Sequence, residues 1–177
     1  MTKEKKEKIL ILGGSGTGKD YLLRGLIKKG LRYDPKFTTR PKRSLETNGI
    51  DYDFITNQDF KKMEDKGDIK VFQSFLINNE TWYYGITKEN FNKNQVFIIT
   101  PEELSQLEES DIKSSFIVYL DIDIDIRRDR IKGRNDNNDS IERRIMADVK
   151  DFESFNRYDL KITDPDFDPE WVYDLMD

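Results

Sequence analysis

The chain has 177 residues, 37% of them charged, and its formal net charge is −5. This length suits one domain with a single core, and the negative charge makes nucleic acid a poor partner. The sequence contains neither cysteine nor histidine, which excludes disulfides, thiolate zinc sites and imidazole acid–base chemistry.

The first apolar run of the chain is Ile9-Leu10-Ile11-Leu12, which follows a charged N-terminal segment. Four apolar residues are too few for the core of a signal peptide, and no later run approaches membrane-spanning length. We therefore expect a cytoplasmic protein with no membrane partner.

That apolar run predicts a strand, and a glycine-rich turn follows it directly. Glycines let the backbone N–H groups curl inward, and a helix that begins near Lys19 adds the positive end of its dipole. The segment therefore predicts a polyphosphate site, with Lys19 reaching the outer phosphates. The predicted phosphate-binding residues are Gly13, Gly14, Ser15, Gly16, Thr17, Gly18, Lys19 and Asp20. A glycine turn that binds nothing is disfavoured, because the spacing and the flanking elements agree.

Asp20 stands where such loops usually place a serine or threonine hydroxyl that contacts magnesium. A carboxylate is also a hard oxygen ligand, so Asp20 is the candidate metal ligand. We expect a stronger dependence on the metal than a hydroxyl would give.

Strand-like and helix-like segments alternate along the chain, which predicts a parallel sheet covered by helices. The aromatic-rich region 34–87 predicts a small sheet, with a hairpin formed by 71–77 and 81–84. The polar stretch 133–139 predicts a flexible loop. The other predicted elements are strands over 96–99, 116–120 and 158–162, and helices over 19–29, 101–109, 124–131 and 140–155, with a last helix from Asp168.

A second pattern lies downstream of the glycine loop. It consists of Thr38-Thr39-Arg40-Pro41-Lys42-Arg43, Glu46, Asp51-Tyr52-Asp53-Phe54 and Tyr83-Tyr84-Gly85, followed by Arg130, Arg134 and Arg144. In this order and at these spacings, the pattern resembles the guanylate kinase family over nearly the whole chain. The resemblance implies an α/β P-loop kinase fold with a central parallel sheet flanked by helices. It also implies a core over 8–33 and 89–177, a mixed-sheet acceptor-binding insert over 34–88, and a mobile lid at about 133–141.

The resemblance implies transfer of the γ-phosphoryl group from ATP, with Mg²⁺, to GMP or dGMP. The acceptor phosphate would be held by Arg40, Arg43, Tyr52 and Tyr84, since a dianionic phosphate favours forked cationic donors and hydroxyl groups. Lid arginines would stabilise the charge on the transferred group. The implied catalytic residues are Lys19, Arg40, Arg130, Arg134 and Arg144. Arg127, Arg128 and Arg143 are interpreted as surface or structural charges, and the chain is expected to be a monomer or homodimer.

The positions that read guanine in the family differ in this chain. A gapless alignment places Lys36, Val71 and Ile86 there, and Ile99-Thr100-Pro101 replaces an acidic pair. Two interpretations stay open. The longer hairpin could let another side chain read the base, the candidates being Gln73, Ser74, Asn78 and Glu80. Alternatively, the acceptor is another nucleoside or deoxynucleoside monophosphate, or ribose 1,5-bisphosphate.

A non-catalytic guanylate kinase-like binding module is an alternative of a different class. Such modules typically lack a working phosphate loop. This chain retains Gly18-Lys19 and the lid arginines, so the enzyme is the favoured hypothesis.

Overall fold

A computed structural model describes residues 6–133 and 140–176 of the chain. The strands are β1 (Lys8–Gly13), β2 (Phe37–Thr38), β3 (Asp53–Phe54), β4 (Ile69–Ile77), β5 (Glu80–Thr87), β6 (Val96–Ile98), β7 (Ser115–Leu120) and β8 (Leu160–Ile162). The helices are α1 (Lys19–Lys28), α2 (Asn57–Lys66), α3 (Lys88–Lys93), α4 (Pro101–Ser105), α5 (Glu109–Lys113), α6 (Ile124–Lys132), α7 (Ile141–Phe152) and α8 (Pro169–Asp174).

The first sheet is parallel, with the strand order β6-β1-β7-β8. Strand β1 lies in its interior and buries Ile9 to Leu12 completely, as expected for a strand covered on both faces. Helix α1 presents Leu22, Leu23 and Leu26 to the core at helical spacing. The predicted parallel sheet flanked by helices is therefore confirmed.

The second sheet is mixed, with the strand order β3-β2-β5-β4. Its β4–β5 hairpin turns at Asn78 and Asn79, whose φ angles of 50° and 65° suit the tight turns that twist with a hairpin. Helix α2 covers one face, where the Phe60 ring stacks on Tyr83 at a centroid distance of 3.8 Å. The predicted hairpin is confirmed, with strands longer than expected.

Three helical segments differ from the sequence prediction. The predicted helix over 101–109 is wrong, because α4 ends at Ser105 and α5 starts separately at Glu109. A reciprocal capping box between Glu108 and Asp111 explains the new start. Helices α2 and α3 were not predicted, although Thr56 and Thr87 cap them through their side chains.

Contacts divide the chain into two compact units. One contains the residues up to Leu31, Val96–Pro101 and the residues from Glu108 onward, and hence the parallel sheet. The other contains Arg32–Gln95 and Glu102–Leu107, and hence the mixed sheet. Within the described ranges, none of the helices is long and apolar enough to cross a bilayer.

Candidate active site

The glycine-rich loop connects β1 to α1 and has the backbone that a phosphate cradle requires. Gly16 and Gly18 adopt φ angles of 78° and 97°, a region that favours glycine. A Cβ on Gly16 would lie 2.8 Å from the Arg127 carbonyl oxygen, so a side chain does not fit there. Gly18 caps α1 without a side-chain hydrogen bond, which leaves the first N–H groups of the helix to bind an anion.

Lys19 folds over this loop. Its Nζ donates hydrogen bonds to the carbonyl oxygens of Gly13 and Gly14 at 2.7 and 2.8 Å. The Thr17 hydroxyl donates to the same Gly14 carbonyl at 2.8 Å, which fixes the curl of the loop. The lysine ammonium therefore sits against the segment predicted to hold the phosphates.

Asp20 is exposed in the first turn of α1, beside Lys19. Its carboxylate is the hard oxygen donor that Mg²⁺ prefers, and Mg²⁺ commonly takes one or two carboxylates together with substrate phosphates. Asp20 therefore fits the role of a single protein ligand. Across the described residues, no group of three acidic, histidine or cysteine side chains is arranged around a metal position.

A buried ion pair supports the loop from behind. Arg127 on α6 donates from Nε to the Ser15 carbonyl at 2.9 Å and from Nη2 to Asp148 at 2.7 Å. The same Asp148 oxygen, on α7, accepts the Ser15 backbone N–H at 2.7 Å. The sequence interpretation of Arg127 as a structural charge did not foresee this contact with the loop, because no local pattern links α6 and α7 to residue 15.

A cavity of about 610 Å³ opens beside the loop and is lined by Gly16, Gly18, Tyr21, Arg130, Gly133, Pro165, Asp166 and Phe167. Arg130 crosses it, donating to the Gly16 carbonyl at 3.2 Å and to the Pro165 carbonyl at 2.8 Å. The Tyr21 and Phe167 rings meet edge to face, with centroids 5.6 Å apart. Aromatic walls beside a phosphate loop suit a planar base. The sequence reading missed Tyr21 and Phe167, which are distant in the chain.

The remaining lid arginines are placed differently. Arg144 is half-buried near the start of α7, one turn before Asp148 and therefore on the side of α7 that contacts the loop. Arg134 and most of the predicted lid at about 133–141 lie outside the described residues. Arg128 instead forms an exposed pair with Glu142.

Three of the four predicted acceptor-phosphate residues come together beside Tyr84 of the mixed sheet. The Tyr52 and Tyr84 rings lie 5.8 Å apart, and the Arg40 guanidinium lies 5.5 Å from the Tyr52 ring centroid. Arg40 also hydrogen-bonds Tyr84. Arg43 is exposed on the loop after β2, with its backbone N–H donating to Glu46 at 2.8 Å.

Glu46 organises this cluster. Arg40 is only 6% exposed and binds both Glu46 carboxylate oxygens, at 2.9 and 2.6 Å. The hydrogen bond from Arg40, more than any other cause, holds the pKa of Glu46 below its usual value. The same pairing raises the pKa of Arg40, which stays charged. The pair fixes the guanidinium beside the two phenols.

This pairing predicts a pH dependence of stability. Because the native pKa of Glu46 lies below its usual value of 4.5, its contribution is complete above pH 4.5 and is lost as the pH falls through the native pKa. The free energy of unfolding should therefore fall more steeply below pH 4.5 in the wild type than in Glu46→Gln. Urea unfolding at a series of pH values measures both slopes, and identical slopes would contradict the assignment.

The positions aligned with guanine-reading residues offer little to a base. Val71 and Ile86 are each 1% exposed and apolar. Lys36 donates to both carboxylate oxygens of Glu103, at 2.7 and 2.5 Å, and Glu103 is itself 1% exposed. Glu103 was not predicted as a site residue, and its pairing with Lys36 joins segments that are far apart in the chain.

In the parallel sheet, β1 leads into a glycine loop and then into α1, whose N-cap makes no side-chain hydrogen bond, and a lysine folds over the loop. These features define a P-loop nucleotide-binding protein. The guanylate kinase family model matches residues 5–175, and the chain belongs to this family of nucleotide kinases. It is 30% identical over 169 residues to a guanylate kinase of Nostoc sp., covering 90% of this chain and 83% of the relative. A guanylate kinase of Rickettsia felis is 30% identical over 178 residues, with coverages of 95% and 91%.

A solved structure has the same fold. The crystal structure of guanylate kinase from Anaplasma phagocytophilum superposes with a TM-score of 0.63 at 18% identity, covering 97% of this chain and 83% of that one. This likeness supports the fold alone.

Proposed function

We propose that this protein transfers the γ-phosphoryl group of ATP to GMP or dGMP. The observation that carries the proposal is the glycine loop with Lys19 Nζ lying against it, in a chain of the guanylate kinase family. Phosphoryl transfer depends mainly on positioning and charge stabilisation, so the absence of histidine and cysteine is no obstacle.

The donor side of the reaction uses the loop and its cations. The N–H groups at the start of α1 bind the ATP phosphates, and Lys19 stabilises the charge that develops on the transferred group. Arg130 lies on the wall of the adjoining cavity, and Arg144 is the lid candidate on α7. Asp20 would hold Mg²⁺, which neutralises phosphate charge when bound.

The acceptor side uses Arg40, Arg43, Tyr52 and Tyr84. Their guanidinium and hydroxyl donors match the dianionic phosphate of a nucleoside monophosphate. No general base is needed, since that phosphate is already ionised at neutral pH. The close approach of Arg40, Tyr52 and Tyr84 to one another supports this assignment.

The test is an ADP-release assay with ATP and Mg²⁺ across the common ribo- and deoxynucleoside monophosphates and ribose 1,5-bisphosphate. Turnover that is greatest with GMP or dGMP is the expected result. If turnover is greatest with ribose 1,5-bisphosphate or with a nucleotide of a different base, that compound is the acceptor in place of GMP or dGMP. No turnover with any acceptor, despite ATP binding, would favour the binding module.

Arg43→Ala should raise the KM for the acceptor much more than the KM for ATP. The exposed guanidinium is proposed to contact the acceptor phosphate and not ATP, and a charged hydrogen bond contributes about 1.5–3 kcal/mol, or about 10- to 100-fold. Steady-state kinetics with each substrate varied in turn measure the two constants. Lys62→Ala, which removes an exposed charge from α2, is the control. Equal increases in both KM values would remove Arg43 from the acceptor site.

The division into core, acceptor-binding insert and lid stays a prediction, as do the cytoplasmic location and the monomeric or homodimeric state. The metal dependence attributed to Asp20 can be measured in the same assay by varying Mg²⁺ at a fixed ATP concentration.

A further inference from the structure

Tyr84 lies on one face of the mixed sheet, where its ring is 5.8 Å from Tyr52 and its side chain hydrogen-bonds Arg40. Tyr84 on β5 pairs with Thr38 on β2 and with Gln73 on β4, and directly paired residues project to the same face. The other face, which carries Tyr83 and Phe72, packs against Phe60 of α2. Gln73 therefore projects from the same face as the Tyr84 phenol.

The next cross-strand pair on this face offers no side-chain hydrogen bond. It consists of Val71 and Ile86, which pair with each other and are almost fully buried. The nearby charged residues, Lys36 and Glu103, already bind one another. A ligand on this face therefore meets its next polar side chain at Gln73.

Gln73 has hydrogen-bonding capacity that the described protein does not use. Its side chain is 8% exposed, and no residue in the described ranges hydrogen-bonds its amide. The Trp82 indole N–H, two residues before Tyr84 on β5, is buried and likewise has no partner within these ranges. Buried polar groups are normally satisfied, because an unpaired one costs about 1–3 kcal/mol. The Trp82 indole N–H is such a group, and Gln73 on the same face offers an amide that no described residue hydrogen-bonds, so a ligand bound on this face would find partners at both.

The spacing of the strands suits a nucleotide. Arg40 follows β2, and Gln73 lies on β4, with β5 between them. Two neighbouring-strand spacings amount to about 9–10 Å, which is comparable to the separation of phosphate and base in a nucleoside monophosphate. A phosphate at Arg40 therefore leaves the base within reach of the Gln73 amide.

We infer that Gln73 reads the acceptor base, and that it recognises the N1–H and O6 groups shared by guanine and hypoxanthine. A carboxamide offers one acceptor and an adjacent donor, which match this pair of groups. It has no second acceptor for the 2-amino group of guanine. The substrate class is therefore the 6-oxopurine monophosphates, IMP as well as GMP; this inference rests on the proposed function.

The other candidates raised by the sequence are less suitable. Ser74 alternates with Gln73 along β4 and so projects to the opposite face. Asn78 lies in the hairpin turn, and Glu80 is the first residue of β5. Both are therefore several residues along the hairpin from the Gln73–Tyr84 pair.

The test compares kcat/KM for GMP, IMP and AMP in the wild type, Gln73→Leu, Gln73→Glu and the control Ser74→Ala. The wild type should use GMP and IMP within about tenfold of each other and AMP much less. Gln73→Leu should lower kcat/KM for both oxopurines by about 10- to 100-fold, with the KM for ATP unchanged. Gln73→Glu should shift preference towards GMP, because a carboxylate accepts from both N1–H and the 2-amino group. Ser74→Ala should match the wild type.

Some results would overturn the inference while leaving the proposed function intact. These are GMP turnover more than about 100-fold above IMP turnover in the wild type, equal use of AMP and GMP, or GMP kinetics unchanged in Gln73→Leu. Circular dichroism shows whether each variant is folded, and Gln73→Glu keeps the inference testable if Gln73→Leu does not fold. A wild type that phosphorylates no monophosphate would instead refute the proposed function itself.

Discussion

Lys19→Ala should reduce phosphoryl transfer to GMP by at least about 10²- to 10³-fold, the loss typical of removing one preorganised donor to developing charge. Lys19 Nζ lies against the loop carbonyls of Gly13 and Gly14, where a bound polyphosphate would compete for it. Its ammonium group is the side-chain cation that the loop itself supplies. Single-turnover measurement of ADP formation at saturating ATP isolates this effect on the transfer step from an effect on ATP affinity.

Lys28→Ala is the matched control, since Lys28 is an exposed lysine in the last turn of the same helix. It should leave turnover close to the wild-type value. Thermal melting of both variants shows whether the fold persists. A folded Lys19→Ala protein with undiminished turnover would remove the loop from the mechanism.

Asp148→Ala should lower the free energy of unfolding by about 3–5 kcal/mol, because it leaves the Arg127 guanidinium buried without its counter-ion. The Arg127 and Asp148 side chains are only 9% and 19% exposed. The substitution also removes the acceptor of the Ser15 N–H, so the ATP KM should rise as the loop loses its support. Urea unfolding and steady-state kinetics measure the two effects.

Glu142→Ala provides the control on the same pair of helices. Glu142 pairs with Arg128 between α7 and α6, but this pair is exposed, so its loss should have a much smaller effect on stability. Adding Arg127→Leu to Asp148→Ala should recover much of the lost stability, since no unpaired charge remains buried. Equal destabilisation by Asp148→Ala and Glu142→Ala would show that burial of the Arg127–Asp148 pair does not affect the free energy of unfolding.

The features predicted correctly are those encoded by neighbouring residues. The run from Ile9 to Lys19 specifies a buried strand, a glycine turn and a helix start through apolar pattern, backbone freedom and spacing alone. Asn78 and Asn79 mark the hairpin for the same reason, because a tight turn selects residues that tolerate positive φ. The split between α4 and α5 was missed although the capping box at Glu108 and Asp111 is also a local signal.

The candidate site was predicted less completely, because much of it joins distant segments. Arg127 and Asp148 both contact Ser15, and Lys36 reaches Glu103, through contacts that no periodicity encodes. The sequence alone left four candidates for reading the base. Strand register separates them, since alternation along β4 turns Gln73 towards Tyr84 and Ser74 away from it.

The sequence by itself determined the phosphate loop, the alternation of strands and helices, and the family resemblance, because each depends on residue type at short or fixed spacing. Only the tertiary structure decided that Arg127 and Asp148 support the loop and that Glu46 holds Arg40. It also decided that Gln73 projects from the same sheet face as Tyr84, with no hydrogen bond to its amide from the residues that the structure describes. Burial and pairing are properties of segments brought together by folding, so the order of residues does not reveal them.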